Sequence, residues 1–341
     1  MSVPGKSDSI QMHLRNLRAA TLAALLCTIG AAGAHAADVA AYPGEIGARC
    51  GDLIRPAAAA AIDANSPADA ARVGEYSVVI CPRISGAQEF RIYRGDTLLE
   101  KGKDGAVSFV TRVTGFGRGA DAKPGDDITG AGFPTVVMEG WSGAGDCCFT
   151  WFLYDLTPGK LRTIPPIVIG AGSLELERVN NFTGLVISAL DDAFIGWRAE
   201  PAQSPLFEVI LAYDKTEGRY RLAQAMTRRT PPNPPPLSDM AAGLRVQIDP
   251  GKPTRGRVEW PYTAPVALWQ NVLDLVYGGN SLQAGQLMEM AWDDAPSRAV
   301  FWHEMIECQL PQSRFYADIL EMNGWTRPAQ AAACKNWAPK R

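Results

Sequence analysis

Between about residues 76 and 226 the apolar positions come in short runs rich in Val, Ile, Phe and Tyr, separated by Gly, Asp and Pro clusters. That pattern predicts strands joined by tight turns. The clearest runs are 76–81, 106–113, 134–138, 148–154 and 206–213. Residues 56–72, by contrast, are Ala-rich and predict a helix. Three stretches share one design, a strand ending in Tyr, a Gly-containing turn and a return strand: 90–99, 152–161 and 210–220. Their tyrosines, Tyr93, Tyr154 and Tyr213, lie 61 and 59 residues apart. A recurrence of that length suggests a repeated unit of propeller-blade size. Three units are too few for a closed propeller, which takes about four to eight blades. The expectation is an open stack of blade-like sheets or a sandwich.

The period changes after the proline run at 230–236, where the missing N–H groups and fixed φ favour an extended connector. Leu268, Val272, Leu275 and Val276 fall at i, i+4, i+7 and i+8, one face of a helix that Gly278 and Gly279 should end. Ser281 is a candidate cap for a second helix carrying Leu287, Met290 and Ala291, and Ser313 for another carrying Tyr316, Ile319 and Leu320. The fold class expected is α+β: an antiparallel β region of blade-like hairpin units followed by a small all-helical C-terminal region. The boundaries read as 37–228 for the β-rich domain, 229–237 for a Pro-rich linker and 238–341 for the helical region.

Residues 1–36 read as a signal peptide. Arg15 and Arg18 supply the cationic start, Ala19 to Ala32 the apolar segment, and Ala34-His35-Ala36 a small-x-small cleavage pattern. The expected location is therefore periplasmic or secreted. At 47% apolar residues and a formal net charge of −3, the composition is that of a globular chain without the basic surplus of a nucleic-acid binder. After the leader no run is long and apolar enough to predict a membrane span.

Six cysteines follow the leader: Cys50, Cys81, Cys147, Cys148, Cys308 and Cys334. An even number in an oxidising compartment favours disulfides, although six allow about 15 pairings. Proximity suggests Cys50–Cys81 and Cys308–Cys334. Cys147 and Cys148 either bond each other through a strained ring or find separate partners. His303 is the one imidazole after residue 36, so zinc sites built on two or three histidines are excluded within one chain. Any Ser-His-Asp or Cys-His scheme must use it.

The stretch Asp126-Asp127-Ile128-Thr129-Gly130-Ala131-Gly132-Phe133-Pro134 resembles the turn of FG-GAP and VCBS-type repeats. Glu139 to Thr150, with its Cys147-Cys148-Phe149, is similar to a segment of uncharacterised bacterial secreted proteins that carry such repeats. The resemblance implies blade-like β units, often binding calcium, for which Asp127 and Thr129 are the matching ligands here. Ala131 stands where the central Asp belongs and Thr135 replaces a later carboxylate, so no cofactor beyond a weak calcium site is expected.

The function expected is a noncatalytic binding or envelope-associated protein whose partner is an unidentified protein or saccharide of the cell envelope. Trp141, Ser142 and Trp197 are its candidate contact residues, because exposed aromatics at loop tips anchor ligands. The alternative is a saccharide-directed envelope hydrolase using paired carboxylates, with Glu139, Asp146, Asp191, Asp192 and His303 as its candidates. Such chemistry needs two carboxyl groups about 5–10 Å apart.

Overall fold

Alternating apolar positions close into twelve strands among the described residues, and these form three four-stranded antiparallel sheets in simple chain order. The computed structural model describes residues 49–50, 70–82, 88–104, 106–109, 122, 125–144, 147–171, 174–246, 264–326 and 334. Sheet 1 holds β1 (Ala70–Val73), β2 (Tyr76–Pro82), β3 (Gln88–Arg94) and β4 (Thr97–Asp104). Sheet 2 holds β5 (Ala106–Phe109), β6 (Thr135–Ala144), β7 (Cys147–Thr157) and β8 (Lys160–Ala171). Sheet 3 holds β9 (Glu175–Glu177), β10 (Val186–Asp191), β11 (Phe207–Asp214) and β12 (Arg219–Leu222).

The spacing of the tyrosines is thereby explained. Tyr93, Tyr154 and Tyr213 each lie near the end of the third strand of a sheet, just before the hairpin to the fourth. Each hairpin also turns through a glycine at positive φ, Gly95, Gly159 and Gly218, where a Cβ would be strained. Each tyrosine faces the element that precedes its sheet. Tyr93 packs with Cys50 and lies under the Arg49 guanidinium, Tyr154 packs with sheet 1, and Tyr213 lies under Arg162 of sheet 2.

Period-two alternation sends the two faces of sheet 2 into different cores. Val136, Met138, Tyr154 and Leu156 pack against Tyr76, Val78, Phe90 and Ile92 of sheet 1. Val137, Trp151 and Leu153 belong to a second core, which runs through sheet 3 (Ile187, Val209, Leu211) into the helices. Turn contacts fix the stacking. Tyr76 donates its O–H to the Thr157 carbonyl (2.6 Å), the Gly159 N–H donates to Glu75 (3.1 Å), and Arg94 donates to the Gly159 carbonyl.

The loop before β6 and the loop before β10 cross backbone to backbone. The Leu185 N–H donates to the Ile128 carbonyl (2.7 Å). A Cβ on Gly130 would overlap the Thr183 carbonyl oxygen, and one on Gly184 would come within 2.6 Å of the Gly130 nitrogen. Both glycines also sit at positive φ.

Six helices follow: α1 (Gln224–Thr227), α2 (Pro234–Gly243), α3 (Val266–Tyr277), α4 (Ser281–Ala291), α5 (Ala295–Trp302) and α6 (Tyr316–Met322). Between α5 and α6 the chain makes a π-helical turn, His303–Gln309, and a 3-10 turn, Leu310–Gln312. The proline run thus passes directly into α2, and the described residues belong to one compact unit. Leu268, Val272 and Val276 are buried as the periodicity of α3 requires. Met290 of α4 is exposed instead, on the face with Gln286 and Glu289. Ser281 is the first residue of α4, not its cap, and its N–H is held by the Asn323 side chain (3.1 Å).

Both proximity pairs are closed, Cys50–Cys81 and Cys308–Cys334, spanning 31 and 26 residues. Loops of that length contribute about 3–4 kcal/mol each in the chain-entropy picture. Residues 70–72, expected to end a helix, belong to β1 and pair with β2. The expected leader at 1–36 and residues 56–69 lie outside the described residues, as do the side chains of Cys147 and Cys148. No described helix is long and apolar enough to cross a membrane.

The glycine crossing gives a paired test. Gly130→Ala, which adds a backbone clash to left-handed strain, is expected to lose about 2–4 kcal/mol. Gly132→Ala, at φ +87° with open space around it, should lose only about 1–2 kcal/mol. Urea unfolding of the two variants reads the difference.

Candidate functional site

The calcium-like loop is organised by its own polar groups. The Asp127 carboxylate accepts the backbone N–H groups of Ala131 (3.1 Å) and Gly132 (2.8 Å). Thr129 Oγ1 lies 3.3 Å from Asp155 Oδ2, and Thr135 Oγ1 donates to Asp155 Oδ1 at 2.8 Å. Asp155 is wholly buried and pairs across the strands with Arg162, whose guanidinium bonds its carboxylate. From the third hairpin Lys215 donates to the Gly130 carbonyl.

Calcium requires about six to eight oxygen ligands. Here Asp127 faces N–H groups, Asp155 faces a guanidinium and the Gly130 carbonyl faces an ammonium. The donor set does not fit a metal cation, because Asp127 is turned to backbone N–H groups and the Arg162 and Lys215 cations already hold Asp155 and the Gly130 carbonyl.

Glu139 on β6 lies half-buried on the face that carries Val137, and its carboxylate accepts the Trp151 indole N–H at 2.8 Å. Burial pushes its carboxyl above the ordinary glutamate value, and the indole bond opposes that shift in part. Register puts Trp141 opposite Phe149 and Glu139 opposite Trp151, so these four residues share one face near the end of the β6–β7 ladder. Ser142 is exposed, and strand alternation places it on the opposite face. Asp146 lies outside the described residues.

Trp197 is not a contact residue at a loop tip. It is buried between sheet 3 and the helices, edge-on to Phe194 (5.4 Å) and Trp269 (5.2 Å). Beside it Arg198 lies over the Phe301 ring and forms an ion pair with Glu304. Aromatics from α3 and α5, about 70 and 100 residues further along the chain, supply the cover that the local sequence gave no hint of.

Asp191 ends β10 as a buried structural acid. It accepts the Tyr277 O–H at 2.6 Å, the Ser313 O–H, and the Ala193 N–H at 3.1 Å. Burial raises its carboxyl despite those donors. The Asp192 carboxylate rests against Gly170 of β8, where any Cβ would overlap it.

His303 opens the π-helical turn. Its Nδ1 lies 2.8 Å from Glu307, and its Nε2 lies 3.9 Å from Cys308 Sγ. The imidazole nitrogen and the sulfurs of Cys308 and Cys334 fall within 4.8 Å of one another, but the two sulfurs are bonded to each other. Glu139 and Asp191 thus engage different partners on different elements, while Asp192 neighbours Asp191 and its charge helps raise that carboxyl. Comparison with known proteins finds no family model, curated protein or solved structure that matches the chain.

Asp155, Arg162, Lys215, Glu307 and Tyr277 were not singled out in the sequence. One signal was available, since Asp follows Tyr at both Tyr154-Asp155 and Tyr213-Asp214. The two aspartates nevertheless differ in role, because Asp214 accepts the N–H groups of Thr216 and Glu217 inside its own turn.

Arg162→Met leaves Asp155 buried without its cation. A loss of about 2–3 kcal/mol is expected at neutral pH, less than for a fully buried pair because Arg162 is partly exposed. Adding Asp155→Asn should recover most of it in thermal melts. Tyr277→Phe removes a donor to the ionised Asp191 and is expected to cost about 1–3 kcal/mol. Because the folded carboxyl is raised, its protonated form is the better tolerated one. The contribution of this acid is fullest below its ordinary value and is lost as pH rises through the raised one. The Tyr277→Phe penalty should therefore shrink on acidification, which chemical unfolding at neutral and mildly acid pH checks.

Proposed function

We propose that this chain is an exported, noncatalytic binding protein of the bacterial cell envelope, periplasmic or secreted. Its contact surface is the half-buried end of the Glu139–Trp141–Phe149 face, and its ligand class is a saccharide. The observation that carries this reading is the grouping itself. An indole and a phenyl ring offer flat apolar surface to the C–H face of a sugar, and a neighbouring carboxylate can accept its hydroxyls. The leader-like residues 1–36 and the two disulfides support export, because such bonds persist in oxidising compartments. The resemblance to FG-GAP and VCBS-type repeats is supported by three four-stranded antiparallel units in chain order, each with a Tyr before its last hairpin. In that reading the chain is a degenerate member whose calcium loop has been replaced by the Asp155–Arg162 pair.

One observation favours a second reading, an envelope hydrolase. The burial-raised Glu139 carboxyl suits a general acid. Against it, Asp191 is committed to Tyr277 and Ser313 and leaves Glu139 without that partner.

Titration of the protein with soluble cell-wall saccharide fragments, followed by tryptophan fluorescence and by chromatography of the fragments, separates the two. Saturable binding with the fragments recovered intact is expected. Trp141→Ala should weaken binding about tenfold or more, the loss of one aromatic anchor. Fragment cleavage that disappears in Glu139→Gln establishes the hydrolase instead. Absence of any binding removes the saccharide reading.

A further inference from the structure

The two disulfides differ in surroundings. Cys50 and Cys81 are both fully buried against Ala70, Val79 and Tyr93. The Cys308–Cys334 bond has one buried sulfur partner, Cys308, and one half-buried, Cys334. It is also the one of the two with an imidazole beside it, at 3.9 Å from Cys308 Sγ.

That contact arises from the helix type. In an α-helix, residues five apart diverge around the axis, since about 3.6 residues make a turn. In a π-helical turn the ladder widens to i→i+5, which brings His303 and Cys308 onto one side. A wide turn is an uncommon departure within helical structure and is frequent at functional sites. Glu307, four residues on, holds the opposite ring nitrogen at 2.8 Å and so fixes the imidazole with Nε2 toward sulfur. Among the described residues, Glu304 on the same turn also acts on the ring by its charge and is itself paired with Arg198.

We propose that Cys308–Cys334 is a redox-active disulfide that undergoes exchange with an external thiol, with His303, positioned by Glu307, stabilising the departing Cys308 sulfur. The incoming thiolate attacks the more accessible Cys334 Sγ. The Cys308–Cys334 bond breaks and its electron pair goes to Cys308 Sγ as a thiolate facing His303 Nε2. A second thiolate then attacks the external sulfur of the mixed disulfide on Cys334. Cys334 is released as a thiolate that takes up a proton, and the external thiols leave as their own disulfide. In net terms two external thiols are oxidised and the protein disulfide is reduced to two thiols. The reverse direction, under an external disulfide, recloses the bond. Stabilising the leaving thiolate both speeds opening and favours the reduced form. This inference does not depend on the saccharide reading, because the His303 turn and the Trp141 face lie on different elements.

The test places the oxidised full chain in glutathione buffers of increasing reducing strength. Differential alkylation and mass spectrometry then quantify each disulfide separately, with Cys50–Cys81 as the internal reference. Cys308–Cys334 is expected to open while Cys50–Cys81 stays closed. His303→Gln should lower the reduction equilibrium of Cys308–Cys334 about tenfold, the effect of roughly one charge pair, and slow its opening, leaving the reference unchanged. Glu307→Gln should shift it the same way by less. Both substituted residues are partly exposed, and an unaltered Cys50–Cys81 reports an intact fold. Opening of the two disulfides together overturns the proposal. So does an earlier opening of Cys308–Cys334 that neither variant alters.

Discussion

The β6–β7 pair of sheet 2 is covered on both faces over most of its length, while β8 keeps one face to solvent at Thr163 and Val168, and most of the structure follows from that constraint. An antiparallel sheet commonly leaves one face to water, but here Met138 and Tyr154 are covered by sheet 1 while Val137 and Trp151 are covered by the core of sheet 3. A strand with no solvent face must neutralise every polar side chain it carries. Asp155 does so through Thr135 and Arg162, and Glu139 through the Trp151 indole. The same demand reaches the loop before β6. It must pass close to the loop before β10 to seal the edge of the stack, and only glycine at positions 130 and 184 allows that approach.

The repeat was legible in the sequence because a repeated hairpin repeats its turn chemistry. Tyr at the strand end and Gly at positive φ recur in all three units, and both are local requirements that one sequence displays. The helices after 264 were legible for a similar reason, since Leu268, Val272 and Val276 repeat at the period of the helix they bury. The two disulfides joined cysteines close in sequence, so chain proximity was a fair guide to them.

What escaped was long-range. Trp197 follows a glycine in a turn-rich stretch and looks like a loop-tip aromatic, yet Trp269 and Phe301 reach back to cover it. Asp155 and Arg162 read separately as ordinary surface charges, and only the β7–β8 register makes them partners. Asp191 looked like half of a catalytic pair, whereas its hydroxyl donors come from α3 and from the turn before α6. The His303–Cys308 contact depends on a π-helical turn, whose widened ladder no local residue pattern announces. In each case the missing information was which distant element lies opposite, a property of packing rather than of local pattern.

The double cover of the β6–β7 pair is the claim on which the reading of Asp155 and Glu139 rests. Native-state hydrogen exchange tests it most directly, because an amide covered on both sides opens only with the whole fold. The amides of β6 and β7 should exchange last, with protection equal to the global unfolding energy. Exchange of those strands as fast as β9, at the edge of its sheet, would mean that the β6–β7 pair has an open face and would contradict the account.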